Sequence, residues 1–216
     1  MLVCGVDDAG RGSVLGPLVI AGIVIKQTKV NQLKKQGIRD SKKLTPLARE
    51  RLYKKIINIV DDYYVAKISP KVIDKSVFNH SLNHLEAQYM AKVISKLSPS
   101  IAFVDSCDVN PHRFGKEISK LTLHTKIKSY HHADSRFVVV SAASILAKVS
   151  RDRVITKLKK KHNVGSGYPS DPKTKAFVKK SIKRNESMTF IRKSWKPVQI
   201  LLKKKNHPKK VATTIA

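Results

Sequence analysis

The stretch Gly5-Val6-Asp7-Asp8-Ala9-Gly10-Arg11-Gly12 constrains this chain more tightly than any other. An apolar run, Met1 to Val6, delivers two adjacent carboxylates into a glycine-rich turn that carries one arginine. Neighbours along a strand point to opposite faces, so Asp7 and Asp8 are expected to converge on one site only where the strand ends. Gly10 and Gly12 are expected to supply that ending, because glycine accepts positive φ and lets a polyanion come close to the main-chain amides. Arg11 is then placed to fork onto a phosphate that the amides already hold. Carboxylates beside phosphate-binding amides make chemical sense when divalent cations lie between them, as in metal-assisted phosphoryl transfer. Taken alone, the octapeptide reads at least as well as an ordinary β-turn in which Asp hydrogen-bonds its own backbone.

The chain that follows alternates strand and helix signals. Val14 to Ile25 is almost continuously apolar and β-branched, interrupted only by small residues and Pro17. It predicts a second strand, buried on both faces and forming a hairpin-like opening with the first. After a loop holding Asp40-Ser41-Lys42-Lys43-Leu44, Thr45 as N-cap and Pro46 at the first helical position start a helix to about Val60. Tyr63 to Ile68 alternates as a third strand. Ser81 is expected to cap a helix with Leu82, Leu85, Tyr89, Val93 and Leu97 at helical spacing, stopped by Ser98-Pro99-Ser100. Ile101 to Asp105 reads as a short buried strand that ends, like the first, in a carboxylate. Ligands bind outside the carboxyl ends of parallel strands in open α/β sheets, so two tips carrying Asp point to one shared site.

Pro111 to Leu121 reads as helix, Leu123 to Tyr130 as strand, and Val138 to His162 as a long helix. Small residues at Ser141 to Ala147 imply that this helix is pressed onto the sheet. Gly165 to Pro172 is a loop, and Lys173 to Arg184 a short basic helix. With no internal repeat and no Gly/Ser-rich linker, one α/β domain with a helical C-terminal portion is expected.

Charge narrows the class of partner. Lys plus Arg number 44 against 15 Asp plus Glu, a net charge of +29 over 216 residues. Such an excess goes beyond solubility and implies a polyanion, with nucleic acid as the default. A tight acidic pair is odd in a purely electrostatic nucleic-acid binder unless metal ions neutralise it. The two cysteines, Cys4 and Cys107, have no CxxC spacing, which argues against a zinc module or a secreted disulfide scaffold. Cys4 reads as a small buried hydrophobe. No signal-peptide pattern opens the sequence, and no apolar run approaches the roughly 18 residues of a membrane span. A soluble, cytoplasmic protein with no membrane contact is expected.

Asp7, Asp8, Asp105 and Asp134 each stand at the end of an apolar strand or the start of a helix. Singly, Asp134 reads more readily as a cap or turn former. Together the four match the hard oxygen ligands of a two-metal nuclease. Asp108 reads as a loop carboxylate or cap, and Asp152 as a partner of neighbouring arginines. His131 and His132 have no third His or Cys at ligand spacing. Tyr168, between Gly167 and Pro169, is either ordinary loop packing or a rigid aromatic offered to a sugar or base. Trp195, among Arg192, Lys193 and Lys196, reads as a core anchor under a basic surface at least as well as a base-stacking residue.

These residues resemble ribonuclease HII, in particular its archaeal single-chain form. The resemblance is carried by the opening octapeptide, Asp40 to Leu44, Val104-Asp105 and Ala133-Asp134. It continues through Ser141 to Val149 with Arg151-Asp152, and Gly165 to Pro172, all in the family's order. It implies a ribonuclease H-like fold, a mixed five-stranded sheet flanked by helices with a helical C-terminal region. It also implies cleavage of RNA in RNA–DNA hybrids and at ribonucleotides embedded in duplex DNA, with Mg²⁺ or Mn²⁺ in a two-metal site and roles in ribonucleotide excision repair and replication. Products would carry 3′-hydroxyl and 5′-phosphate ends.

On this resemblance Asp7, Asp8, Asp105 and Asp134 fall on the family's metal-binding carboxylates. Gly10, Arg11 and Gly12 fall on the motif whose backbone reads the ribose 2′-hydroxyl, and Tyr168 on the tyrosine that stacks on the following deoxyribose. Lys42, Lys43 and Lys148 are expected near the phosphates. Expected divisions are 1–163 as catalytic domain, 164–202 as a loop and helical region packed on it, and 203–216 as a flexible basic tail. A monomer is expected, and the tail carries no convincing sliding-clamp peptide. One departure stands out: the family usually has Glu where this chain has Asp8. The shorter side chain is expected to alter metal preference, and it keeps open the alternative of a non-catalytic basic nucleic-acid-binding protein with a weakened site. A junction resolvase of the same fold is a further rival, against which the Gly10-Arg11-Gly12 turn and Tyr168 argue.

Overall fold

β2 (Leu18–Lys26) is apolar from Leu18 to Ile25 because both of its faces are covered. Val19, Ala21, Ile23 and Ile25 face one core layer, and Leu18, Ile20 and Val24 the other. Ile20, Ile23 and Ile25 are fully buried, each contributing roughly 1.5–3 kcal/mol relative to exposure. The computed structural model describes residues 1–38 and 44–206.

β1 (Leu2–Ala9) runs antiparallel to β2, with Val3 opposite Ile25 and Ala9 opposite Val19. β3 (Asp62–Ile68) continues the antiparallel side, pairing Ala66 with Ile20. On the other side β4 (Ile101–Asp105) is parallel to β1, from Val3 beside Ile101 to Val6 beside Val104. β5 (Lys126–Tyr130) is parallel to β4. The sheet is therefore mixed and five-stranded, in the order β3-β2-β1-β4-β5.

The helices among the described residues are α1 (Val30–Lys35), α2 (Pro46–Ile59), α3 (Pro70–Phe78), α4 (Leu82–Leu97), α5 (Pro111–Lys120), α6 (Ala133–Arg136), α7 (Val138–Lys159), α8 (Pro172–Lys183) and α9 (Lys196–Asn206). α7 covers one sheet face through Val139, Val140, Ala142, Ile145, Leu146 and Val149. α4 and α5 cover the opposite face through Met90, Val93, Ile94, Phe114 and Ile118. The small residues of α7 do press on the sheet. A Cβ on Gly5 would stand 2.2 Å from the Val139 carbonyl group.

Thr45 caps α2 as expected, accepting from the Ala48 amide at 3.2 Å. Ser81 does not cap α4: its hydroxyl donates to the Ser76 carbonyl at 3.1 Å, tying the tight α3–α4 turn instead. β1 runs through the two aspartates to Ala9, because β2 keeps pairing with it that far, and the glycine turn follows as expected. A third apolar cluster joins Val14 and Leu15 to Val164, Val178, Ile191 and Val198, so the C-terminal helices dock on the turn after β1. Trp195 packs at its edge under Arg192, in the anchoring role. α9 runs on to Asn206, into the stretch expected to begin a tail, on the packing of Val198, Leu201 and Leu202. Among the described residues no helix is long and apolar enough to cross a membrane.

Candidate active site

Val3 and Ala9 lie in the core under α7, and Cys4 and Val6 in the core under α4. Strand alternation therefore sends Asp7 to the α7 face and Asp8 to the opposite one. The glycine turn ends the strand from Gly10, as expected, but Asp7 and Asp8 still pair with Ala21 and Ile20, so β1 does not end at the pair itself. What ends there is β4. Its last residue, Asp105, follows Val104, the partner of Val6, so it comes level with Asp7 on the same face.

Asp7 is buried and accepts the Asp8 amide at 2.7 Å, with the buried Ser144 of α7 beside it. Burial, and then the Asp105 carboxylate, push its carboxyl up to about 7, while Ser144, the Asp8 amide and the Lys148 charge oppose the rise. Ser141, Ser144 and Lys148 follow at helical spacing, so α7 turns one polar stripe to the site. Asp105 Oδ1 accepts the Ala133 amide at 2.6 Å, which draws the start of α6, and with it the buried Asp134, to the Asp105 side. The Ser141 hydroxyl bonds the Asp134 carbonyl and joins α6 to α7. Asp8 is half-buried, and its carboxyl is raised by burial, then by Asp7 and Glu86, with Arg11 opposing.

This crowd of carboxylates is held against its own repulsion, and all of its donors are hard oxygens. Its chemistry suits a hard divalent cation. Among the described residues no three His, Cys, Asp or Glu side chains stand close enough to cage an ion as arranged.

Gly10 has φ of +85°, and a Cβ there would meet the Pro17 carbonyl at 3.1 Å. Gly12, expected to share that role, has ordinary φ, and the space beside it is open. Arg11 does not point outward as a waiting phosphate fork. Its Nε donates to both Glu86 oxygens at 3.0 and 3.1 Å, and Nη2 to Asn83 Oδ1 at 2.6 Å.

The Tyr168 loop is locked to this turn. The amides of Val14 and Leu15 and the Ser13 hydroxyl all donate to the Gly167 carbonyl, at 2.9, 3.2 and 2.7 Å. Arg151 stacks 4.3 Å from the Tyr168 ring centre and donates to Ser13 Oγ at 2.9 Å and to the Ser166 carbonyl at 2.7 Å. Arg192, fully buried, donates to the carbonyls of Gly16 and Arg11, both at 3.0 Å. Burial and then the Arg151 charge lower its pKa to about 10.

Lys42 and Lys43 lie outside the described residues. Asp108 is structural, paired with Arg113 at 2.6 Å, and Asp152 bonds Arg151 at 3.2 Å. His131 contacts the Val109 carbonyl at 3.3 Å, and His132 supplies a left-handed residue before α6. A cleft of about 380 Å³ opens between Ala9, Lys148, Arg151 and Tyr168. A larger groove of about 1140 Å³, between α2, β3 and α7, includes none of the four candidate carboxylates. The smaller cleft includes none of them either, but it borders Ala9, Lys148 and Tyr168 next to them.

Sequence reasoning missed Glu86, Ser144, Arg151 and Arg192 as parts of this assembly. Glu86 had a signal, since it interrupts the apolar stripe of α4 between Leu82 and Met90. Arg151 stood in a stretch shared with the family but with no role attached, and Arg192 had no signal, because its partners are backbone carbonyls of distant segments.

A family model described as Ribonuclease HII matches residues 4–198. The ribonuclease HII of Cenarchaeum symbiosum is 56% identical over 202 residues, covering 93% of this chain and 98% of that protein. The crystal structure of ribonuclease H2 from Pyrococcus horikoshii OT3 superposes with a TM-score of 0.90 at 42% identity, covering 96% of this chain and 100% of that one. Ribonuclease HII of Archaeoglobus fulgidus, solved in complex with PCNA, superposes with a TM-score of 0.85 at 38% identity, covering 91% and 96% of the two chains.

Proposed function

The chain belongs to the ribonuclease HII family of ribonuclease H-type hydrolases, and from that premise we propose that it cuts the RNA strand of RNA–DNA hybrids and cleaves 5′ of ribonucleotides embedded in duplex DNA. The products would be 3′-hydroxyl and 5′-phosphate ends. One observation carries the reading: the carboxylates stand at the end of the strand that runs into the glycine turn, and the tyrosine loop is hydrogen-bonded to that turn's far side. Asp7 and Asp105 lie side by side at the end of β4, the turn starts two residues beyond Asp8, and the Gly167 carbonyl ties Tyr168 to that turn.

Asp7, Asp8, Asp105 and Asp134 would hold Mg²⁺ or Mn²⁺. Divalent cations bound there supply an activated water and neutralise charge on the departing oxygen. The chain's own residues do the rest. The Asp8 amide orients Asp7, and the Ala133 amide fixes one oxygen of Asp105. Lys148, with Lys42 and Lys43, would meet the phosphates. The amides around Gly10, Arg11 and Gly12 would test for the 2′-hydroxyl, the group that separates RNA from DNA locally. Tyr168, backed by Arg151, would stack on the next sugar. The net charge of +29 supplies the sequence-independent attraction.

We take the working unit to be a monomer with residues 1–163 as the catalytic body. A clamp contact like that of the A. fulgidus protein stays outside the proposal, since Lys203 to Ala216 offers no recognisable peptide for it.

The test is divalent-dependent nicking of a DNA duplex containing one ribonucleotide, against an all-DNA duplex and the Asp105→Asn variant. Nicking confined to the ribonucleotide and abolished in the variant is expected. Tight binding with no nicking in either metal refutes the reading. It would favour a non-catalytic nucleic-acid binder whose site is weakened by Asp8, the carboxylate on the opposite face from Asp7.

A further inference from the structure

Glu86 is fully buried in the middle of the apolar stripe of α4. A carboxylate in such a place is costly unless it is paired and hydrogen-bonded. Its partners come from the site described above. Arg11 Nε lies 3.0 and 3.1 Å from its two oxygens, and the Cys107 thiol, two residues beyond Asp105, donates to Oε2 at 3.1 Å. Asn83, almost one turn earlier, takes Arg11 Nη2 at 2.6 Å. The Asn83 amide nitrogen donates in turn to Asp108 at 3.0 Å, and Arg113 holds Asp108 at 2.6 and 2.8 Å. α4 thus presents a braced socket, and the Arg11 side chain is the plug.

The socket matters because the turn cannot hold itself. Glycines flank Arg11 on both sides, and glycine loses the most backbone freedom on being ordered. The anchors of the turn are therefore few. Ser13 N donates to the Gly10 carbonyl at 3.1 Å, Arg192 donates to the Arg11 carbonyl at 3.0 Å, and Glu86 with Asn83 grips the Arg11 side chain. The last grip comes from α4, on the face of the sheet to which Asp8 points.

We infer that Glu86 is a positioning residue: by gripping Arg11 it sets the pose of the Gly10–Gly12 amides, and so the preference for a ribonucleotide over a deoxyribonucleotide. This rests on the reading of that turn as the ribose detector. Glu86→Gln keeps the volume and one acceptor but removes the charge that makes the Arg11 contact strong.

Two measurements test it. The first is made in the Asp105→Asn background, where cleavage is suppressed. Fluorescence anisotropy gives the affinity for a duplex with one ribonucleotide relative to the same duplex in all-DNA form. Glu86→Gln lowers that ratio by about tenfold, the cost of ordering one backbone residue, and leaves all-DNA affinity and the unfolding midpoint nearly unchanged. The second is the nicking rate on the single-ribonucleotide duplex. Glu86→Gln and Arg11→Ala each lower kcat/KM, and the double variant is no slower than Arg11→Ala alone, as expected of groups acting as one unit.

An unchanged affinity ratio, a ratio near one in the parent, or additive losses in the double variant would overturn the inference. Should Glu86→Gln not fold, Asn83→Ala removes the second grip and lowers the same ratio by about threefold, on the order of one neutral hydrogen bond. No nicking by the unaltered protein would sink the ribonuclease reading alone, while the affinity ratio still decides the role of Glu86.

Discussion

Replacing Gly5 with alanine tests how closely α7 is bound to the sheet that carries Asp7. A Cβ at Gly5 would stand 2.2 Å from both the carbonyl carbon and oxygen of Val139, and 2.5 Å from the Val140 nitrogen. These obstacles are backbone atoms in the first turn of a 22-residue helix, so no side chain can swing aside. Ordinary contact begins near 3.4 Å, so α7 must retreat by about 1.2 Å, or β1 must bow away, against close-packed neighbours. Overpacking costs typically about 1–3 kcal/mol, and a rigid obstacle puts Gly5→Ala at about 3 kcal/mol or above. That is a large share of a total stability of roughly 5–15 kcal/mol. The same retreat carries Ser144 and Lys148 away from Asp7. A displacement of about 1 Å at a reacting centre can lower the rate of the folded enzyme by roughly 100-fold. Urea unfolding followed by circular dichroism reads the first effect as a lower midpoint at unchanged slope. Nicking at a urea-free temperature where both proteins are folded reads the second. Gly12→Ala is the control, since Gly12 has ordinary φ and open space beside it; its stability stays within about 0.5 kcal/mol. A loss below about 1 kcal/mol in Gly5→Ala, with wild-type nicking, refutes the close-packing argument.

Further outcomes follow from the same geometry. Asp7 has its carboxyl raised to about 7, so its proton favours the folded state. Its contribution to stability in EDTA is full below about pH 4 and is lost as pH rises through about 7, by at most about 4 kcal/mol. Asp8 acts in the same direction. Unfolding at pH 5 and pH 8 reads the difference, and Asp7→Asn flattens it; an identical slope in the variant contradicts the assignment. Asp8→Glu lengthens the side chain by one C–C bond, about 1.5 Å, and shifts the ratio of Mg²⁺- to Mn²⁺-supported nicking upward. An unchanged rate and ratio would show that the departure from the family pattern is silent. Arg192→Met removes the donors to the Gly16 and Arg11 carbonyls and is expected to cost about 3 kcal/mol, lowering the unfolding midpoint and slowing nicking; a cost under about 1 kcal/mol would mean those carbonyls find other partners.

Much of the scaffold was legible because it depends on neighbours along the chain. The unbroken apolar run of β2 implied cover on both faces, Thr45-Pro46 marked the start of α2, and Ser141 to Ala147 announced a helix lying close on the sheet. The end of β1 at the glycine turn was legible too, but two aspartates before a glycine say nothing of the β2 partner that keeps them in the ladder.

The sequence by itself determined the alternation of strands and helices, the family and, through that resemblance, the mixed sheet, and four acidic side chains with a glycine turn and a tyrosine as candidates. Periodicity and short motifs are local, and a chain states them without folding. Only the tertiary structure decided which face each aspartate takes, that Arg11 is gripped by Glu86 75 positions away, and that Arg192 reaches the carbonyl of Arg11 across 181 positions. Such partners are chosen by packing in three dimensions, and nothing in the residues beside them along the chain records the choice.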